Sequence, residues 1–297
     1  MDRHELLQKI TTFPWIVSEL ADQLLTGDFR SIFKGQGIEA EEVRHYESGD
    51  DVRMIDWNVS ARLGTPYVRI YREEREMTVF LVLDCSASMY CGGGLMSPFD
   101  QALLSASVLA FSAEKAGQSV GALFFDRAIT AVFPPRKGKA PLMGMLRKAL
   151  AITRGGQGSD LGAALAGAGR LLKRRSLVVL ISDFLSVQWE QELGNLCRTH
   201  EVIALKIEDP LQQDLTEQGI MALEDPETGL TYQVPLSFPT FRLAWSAWRQ
   251  ERLSAWQGSC RSSGAAFMDI STAEDAPARL IQFFRGRGIS RRRIGKP

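Results

Sequence analysis

Short apolar runs alternate with longer amphipathic stretches along most of this chain. Residues 77–83, 177–181 and 202–207 are apolar almost throughout, which is typical of strands buried on both faces of a parallel sheet. Further strands are predicted at 67–71, 120–125, 128–133, 220–224, 230–234 and 265–270, and helices at 99–117, 142–152, 161–173, 238–259 and 277–284. Because strands and helices alternate, we expect an α/β fold with an open, mostly parallel central sheet flanked by helices.

The two ends of the chain show different patterns. Residues 3–25 favour one or two amphipathic helices, with a break or turn at Pro14. Residues 32–75 have few helical periods, so we expect a small, β-rich and helical N-terminal appendage over residues 1–75. The main domain is then predicted over residues 76–286. The basic tail, residues 287–297, is interpreted as a solvated end, with an arm for nucleic acid or an acidic partner as the alternative.

Composition narrows the class of protein. The 297 residues carry 35 basic and 35 acidic side chains, so the net charge does not attract nucleic acid or an anionic membrane. The apolar runs reach about seven residues, whereas a membrane-spanning helix needs about 18 or more. With no secretory signal pattern at the start, we expect a cytoplasmic protein that does not insert into a membrane. The four cysteines form no Cys-x-x-Cys pair, which indicates free thiols rather than a zinc site.

Carboxylate and hydroxyl side chains follow the predicted buried strands. Asp84, Ser86 and Ser88 come directly after one strand, Asp183 closes a second, and Ser159 lies in a glycine-rich loop before a helix. The carboxyl ends of parallel strands meet at one edge of a sheet, where ligands bind in such folds. Oxygen ligands suit a hard divalent cation such as Mg²⁺. Ordinary turn and helix-cap residues are the alternative interpretation.

This pattern resembles the metal-ion-dependent adhesion site of von Willebrand factor A domains, which have a Rossmann-like fold. Asp84, Ser86 and Ser88 match the first motif of that site, Ser159 stands where the family usually has threonine, and Asp183 matches the third-loop aspartate. The resemblance implies a bound Mg²⁺, with Mn²⁺ or Ca²⁺ as alternatives. It also implies that Ser86 and Ser88 ligate the ion directly, that Ser159 can do so, and that Asp84 and Asp183 act largely through water.

A second resemblance lies upstream of this site. Residues 42–62 contain Arg-x-Tyr, Gly-Asp-Asp, Arg-x-Ile-Asp-Trp and Ala-Arg, and they resemble the signature of the "domain of unknown function 58" family. That family is usually found with MoxR-type AAA+ ATPases. The resemblance therefore implies an adaptor that works with such an ATPase in chaperone-like remodelling or maturation of client proteins. The charged residues of the signature suit either a structural network or a functional surface: Arg44, Asp50, Asp51, Arg53, Asp56 and Arg62.

A magnesium-dependent hydrolase or phosphatase on a Rossmann-like sheet is the alternative function, with Asp84 as the nucleophile. Phosphatases of the haloacid dehalogenase type place a second aspartate two residues after the first, and Ser86 occupies that position here. The sequence also lacks a P-loop, a Gly-x-Ser-x-Gly elbow and a His-Glu-x-x-His helix. We therefore expect a binding module and no enzymatic activity.

Aromatic residues recur at near-helical spacing in the helix predicted at 238–259. They are Phe241, Trp245, Trp248 and Trp256. Because this spacing places side chains on one helix face, core or interface packing is expected for them. A surface that stacks nucleic-acid bases is the alternative interpretation.

Overall fold

The computed structural model describes residues 42–70, 77–92, 96–152, 158–210, 219–224 and 229–294. The helices predicted at 3–25 lie outside these ranges. In the first range, β1 (Glu42–His45) pairs antiparallel with β2 (Tyr67–Ile70). Between them lies a helix that the sequence pattern did not predict, α1 (Trp57–Leu63). Asp56 begins α1, because its carboxylate accepts hydrogen bonds from the first backbone N–H groups of the helix.

A six-stranded sheet forms the centre of the main domain. Its strands in chain order are β3 (Thr78–Asp84), β4 (Ser119–Phe125), β5 (Ile129–Arg136), β6 (Ser176–Ser182), β7 (Glu201–Glu208) and β10 (Ala266–Ser271). In space the order is β10-β7-β6-β3-β4-β5. Every neighbouring pair is parallel except β4 and β5. The predicted α/β class, with an open and mostly parallel sheet, is confirmed. A separate hairpin pairs β8 (Ile220–Glu224) with β9 (Thr231–Pro235).

Helices cover both faces of the sheet. One layer contains α2 (Pro98–Lys115), α3 (Lys139–Ala151) and α7 (Ala276–Ile294), and the other contains α4 (Leu161–Leu171), α5 (Glu190–Thr199) and α6 (Pro239–Ser263). Successive side chains of a strand point to opposite faces. In β3, Leu81 and Leu83 therefore pack in the first layer, and Phe80 and Val82 pack in the second. This two-sided burial explains why the central strands are apolar throughout.

Two helices differ from the sequence prediction. The helix α5 was missed, because only Leu193 and Leu196 of its ten residues are buried and the apolar pattern is correspondingly weak. The last helix, α7, was predicted to end at residue 284 but continues to Ile294. Residues 287–294 of the predicted tail are therefore helical, in keeping with the favourable helix propensity of arginine. Within the described ranges, no helix has the length and apolar character needed to cross a membrane.

The strand order determines where a ligand can bind. From β3 the chain moves outward through β4 and β5, and it later returns to place β6 on the other side of β3. In open α/β sheets, such a reversal leaves a crevice at the carboxyl ends of the two inner strands. Asp84 ends β3 and Ser182 ends β6. The predicted residues Asp84 and Asp183, which follows Ser182, therefore lie at the edge where open α/β sheets bind ligands.

Candidate metal centre

Asp84 lies at the centre of the site and is completely buried. Its Oδ1 accepts a hydrogen bond from the backbone N–H of Ser86 at 2.9 Å. Its Oδ2 accepts hydrogen bonds from the hydroxyls of Ser159 at 3.1 Å and Ser182 at 2.7 Å. One carboxylate thereby joins the end of β3, the loop before α4 and the end of β6.

Ser86 and Ser88 lie in the turn that follows β3. Ser86 begins a short 3-10 helix (Ala87–Tyr90), and the hydroxyl oxygens of Ser86 and Ser88 are 3.1 Å apart. The Cys85 side chain packs in the helix layer that contains α2, α3 and α7, and its Sγ donates to the backbone oxygen of Phe125 at 2.9 Å. Burial raises the pKa of the Cys85 thiol to about 12. The thiol therefore stays protonated at neutral pH, and it is engaged with Phe125 on β4.

Ser159 approaches the site because its neighbour takes the capping role at α4. The carboxylate of Asp160 accepts the hydrogen bond from the Ala163 backbone N–H at 2.8 Å and so caps the helix. The Ser159 hydroxyl is left to bond to Asp84. Asp160 is therefore the helix cap, and Ser159 belongs to the site.

Asp183 follows β6 and is buried, with its Oδ1 accepting a hydrogen bond from the Leu185 backbone N–H at 3.0 Å. Burial raises the pKa of Asp84 to about 7, and the negative charge of Asp183 adds to this rise. Across the part of the chain that the structure describes, no cationic side chain contributes an opposing effect on Asp84. The site is therefore a buried acidic pair that a positive charge would stabilise.

The donor set fits a hard divalent cation. The five predicted residues offer only carboxylate and hydroxyl oxygens, which Mg²⁺ prefers over the nitrogen and sulfur ligands typical of structural zinc. Within the described ranges, no group of three or more His, Cys, Asp or Glu side chains is placed to hold a metal ion. A metal here would depend on the serine hydroxyls as well as on the carboxylates. The assignment of metal ligands stays a prediction.

Two further serines belong to this site and were not predicted from sequence. The Ser182 hydroxyl donates to Asp84 and accepts from the Phe184 backbone N–H at 2.9 Å. The Ser186 hydroxyl lies 2.7 Å from the Ser159 hydroxyl and 3.0 Å from the Ser159 backbone oxygen. The sequence could have predicted Ser182 as a site residue, because it ends a strand that is otherwise buried and apolar. No sequence pattern could have predicted Ser186, since its contact with Ser159 depends on the path of the loop after β6.

The loop after β6 also forms an apolar rim beside the site. Leu185 is 40% exposed and Val187 is 74% exposed. Phe184 (φ 56°) and Gln188 (φ 60°) are the non-glycine residues with positive φ among the described residues, a conformation that costs about 1–2 kcal/mol per residue. The buried Phe184 ring packs between Trp189 and Trp256, with ring centroids 5.4 and 5.5 Å away. This packing holds the loop in its strained path.

The aromatic residues of α6 divide between core and surface. Trp256 is buried in the core, as the helical spacing predicted. Trp248 is 44% exposed, and its ring lies 5.1 Å from that of Trp245. This helix therefore also carries an exposed aromatic side chain on its surface.

The signature segment has both structural and exposed parts. Arg44 forms a bidentate pair with Asp50, with N–O distances of 2.7 and 2.6 Å, and this pair lowers the pKa of Asp50. Together with the Asp56 cap, this contact supports a structural role for these charged residues. Trp57 is 68% exposed, and Val52 is also exposed. Trp57 therefore lies on the surface and is not a buried anchor of the appendage.

Comparison with known proteins connects this geometry to a family. The family model described as protein of unknown function DUF58 matches residues 42–253. The chain belongs to the DUF58 family. A relative over nearly the whole length of this DUF58 protein is the uncharacterized protein Rv1480 of Mycobacterium tuberculosis (strain H37Rv), which is 30% identical over 290 residues, or 97% of this chain and 91% of the relative. The predicted family membership is confirmed.

Solved structures similar to this DUF58 protein include a conserved hypothetical protein and a von Willebrand factor A domain. The conserved hypothetical protein BatB of Bacteroides thetaiotaomicron aligns with a TM-score of 0.47 and 15% identity, over 72% of this chain and 99% of BatB. The von Willebrand factor A domain of SpRpn10 aligns with a TM-score of 0.43 and 10% identity, over 70% of this chain and 94% of that domain. The main domain has the α/β fold with an open, mostly parallel sheet that the sequence predicted.

Proposed function

We propose that this DUF58 protein is a non-enzymatic, metal-dependent protein-binding module. We further propose that it acts as an adaptor of a MoxR-type AAA+ ATPase in remodelling or maturing client proteins. The observation that carries the proposal is the convergence of Asp84, Ser86, Ser88, Ser159 and Asp183 at the crevice between β3 and β6. The choice of a MoxR-type ATPase as the partner rests on the resemblance to the DUF58 family.

The protein's own residues have distinct parts in this function. Ser86, Ser88 and Ser159 would hold Mg²⁺ through their hydroxyls, and Asp84 orients Ser159. When bound, the ion supplies a positive charge that attracts a carboxylate of the partner. Neutral hydroxyl ligands leave more of that charge for the partner than carboxylate ligands would.

The surroundings of the site suit a contact with another protein. Leu185 and Val187 present exposed apolar side chains beside the crevice. A partner that covers them excludes water from the central polar contact, and this strengthens the electrostatic attraction. Exposed apolar surface next to a polar centre is also a common feature of protein interaction sites. This rim is the second observation that favours a binding module.

The surroundings of Asp84 favour binding over hydrolysis. The residue is completely buried, and both carboxylate oxygens accept hydrogen bonds within the protein. A carboxylate nucleophile must be within reach of the substrate, and the buried Asp84 carboxylate is not exposed to one. A p-nitrophenyl phosphate assay with Mg²⁺ checks this interpretation. Turnover that disappears in Asp84→Asn would contradict it.

The test of the adaptor function is a binding titration with a purified MoxR-type ATPase. It uses the wild type in Mg²⁺, the wild type in EDTA, and Ser86→Ala in Mg²⁺. We expect affinity to fall about tenfold or more in EDTA and in Ser86→Ala, since a charged contact of about 1.4 kcal/mol or more is lost. Ser176→Ala is the matched control, because Ser176 is also buried but begins β6 at the opposite edge of the sheet.

Each outcome of this titration has a defined meaning. Equal affinity under all conditions would keep the ATPase partnership and remove the metal centre from the interface. Absence of ATPase binding by the wild type would refute the adaptor role. A loss in Ser176→Ala equal to that in Ser86→Ala would show that the effect does not come from the site.

A further inference from the structure

Arg252 of α6 contacts the loop that carries Asp183. Its Nη2 donates to the backbone oxygen of Phe184 at 3.2 Å and to that of Leu185 at 3.3 Å. The guanidinium also lies over the Trp248 ring, 5.3 Å from its centroid. A residue 68 positions away in sequence thus reaches the loop immediately after a predicted metal-site residue.

One peptide unit connects Arg252 to Asp183. The peptide between Phe184 and Leu185 donates its N–H to Asp183 Oδ1 at 3.0 Å and accepts at its oxygen from Arg252 at 3.2 Å. Because a peptide is planar, these two hydrogen bonds fix its orientation from opposite ends. Hydrogen bonds linked in this way also polarise and strengthen one another.

The same peptide is attached to a residue in an unfavourable backbone conformation. Phe184 has a φ of 56°, and a non-glycine residue tends to leave this region unless its surroundings hold it there. Packing against Trp189 and Trp256 holds the Phe184 ring, whereas Arg252 holds its backbone oxygen. Loss of the guanidinium would remove this restraint on the peptide oxygen, and rotation of the peptide would weaken the hydrogen bond from the Leu185 N–H to Asp183.

We propose that Arg252 is a positioning residue of the metal centre, acting on Asp183 through the peptide between Phe184 and Leu185. This inference rests on the proposed metal-binding function. It makes α6 part of the site, although the sequence motif of the site lies wholly on the loops after β3 and β6 and before α4. The guanidinium does not contact the ion, and it acts by holding a carboxylate in place.

The test measures Mg²⁺ affinity by isothermal titration calorimetry in the full chain. The variants are Arg252→Met, which keeps the length of the apolar stem, and Arg252→Lys, whose ammonium donates without the planar geometry of the guanidinium. We expect about tenfold weaker binding in Arg252→Met, from the loss of hydrogen bonds made by a charged donor. We expect partial recovery in Arg252→Lys, because the ammonium can still reach one carbonyl.

Arg261→Met is the matched control. Arg261 lies on the same helix, and its guanidinium also lies over an aromatic ring, that of Phe267 at 5.1 Å. Its Nη2 donates a hydrogen bond to the side-chain oxygen of Gln257, on the same helix, at 3.3 Å. We expect wild-type Mg²⁺ affinity in this variant. Circular dichroism of the metal-free variants shows whether each is folded, and Arg252→Lys keeps the test informative if Arg252→Met is not.

The outcomes separate the inference from the proposed function. Wild-type binding of Mg²⁺ with unchanged affinity in Arg252→Met would overturn the positioning role and leave the metal centre standing. An equal loss in Arg261→Met would also overturn it. A wild type that binds no Mg²⁺ would overturn the proposed function and the inference with it. Recovery in Arg252→Lys, with Arg261→Met unaffected, would support the inference.

Discussion

Ser182 makes two hydrogen bonds at the core of the site, and Ser182→Ala removes both without changing the backbone. The hydroxyl donates to Asp84 Oδ2 at 2.7 Å and accepts from the Phe184 backbone N–H at 2.9 Å. All the atoms involved are buried. No water can therefore replace the lost hydroxyl without a rearrangement of the loop after β6.

The size of the effect follows from these two bonds. A hydrogen bond to a charged group contributes about 1.5–3 kcal/mol, and a buried N–H left without an acceptor costs about 1–3 kcal/mol. Since the two bonds share one hydroxyl, we expect the free energy of unfolding to fall by about 2–4 kcal/mol rather than by the full sum. This is large for one small polar side chain.

The assay is urea unfolding at pH 7.5 in EDTA, followed by circular dichroism, with Ser176→Ala as the control. Ser176 is a buried serine on the same strand, and its hydroxyl makes one hydrogen bond, to the backbone oxygen of Arg174 at 2.8 Å. We expect the control to lose only about 0.5–1.5 kcal/mol. If Ser182→Ala is no less stable than Ser176→Ala, then the hydroxyl does not hold the carboxylate and the loop as described.

Three further predictions test other parts of the structure. Mg²⁺ at about a hundred times its dissociation constant should raise the free energy of unfolding of the wild type by about 2.7 kcal/mol and leave that of Ser86→Ala unchanged. Equal thermal shifts in both proteins would exclude Ser86 as a ligand. Burial lowers the pKa of His200, and its Nδ1 has no hydrogen-bond partner within the described ranges. Because a histidine in the unfolded chain has a pKa of about 6.5, the unfolded state binds the proton more tightly than the folded state. The free energy of unfolding, measured in urea and compared with that of His200→Gln, should therefore fall as the pH drops below about 6.5. Parallel pH dependences in the two proteins would contradict this. Trp57→Ala should change the free energy of unfolding by about 0.5 kcal/mol or less, because the side chain is mostly exposed; a loss above about 2 kcal/mol would show that Trp57 is covered.

Several parts of the fold could be predicted because local pattern and tertiary burial agree there. The strands β3, β6 and β7 are apolar in sequence because both faces of each are covered by helices. Helix α5 escaped prediction because few of its side chains are buried, so it leaves little periodic signal. The same reasoning explains why the sequence patterns of β3 and β6 predicted that Asp84 and Ser182 lie at strand ends.

The sequence by itself determined the α/β class and the candidate residues Asp84, Ser86, Ser88, Ser159 and Asp183, because each lies next to a strand end or helix start that its neighbours specify. Only the tertiary structure decided which side chains complete the site. Ser186 meets Ser159 across 27 positions, and Arg252 meets Phe184 across 68. Such contacts depend on the course of a loop and the placement of a helix, and neither leaves a periodic pattern in the chain. For the same reason, only the tertiary structure showed that Trp57 and Trp248 are exposed.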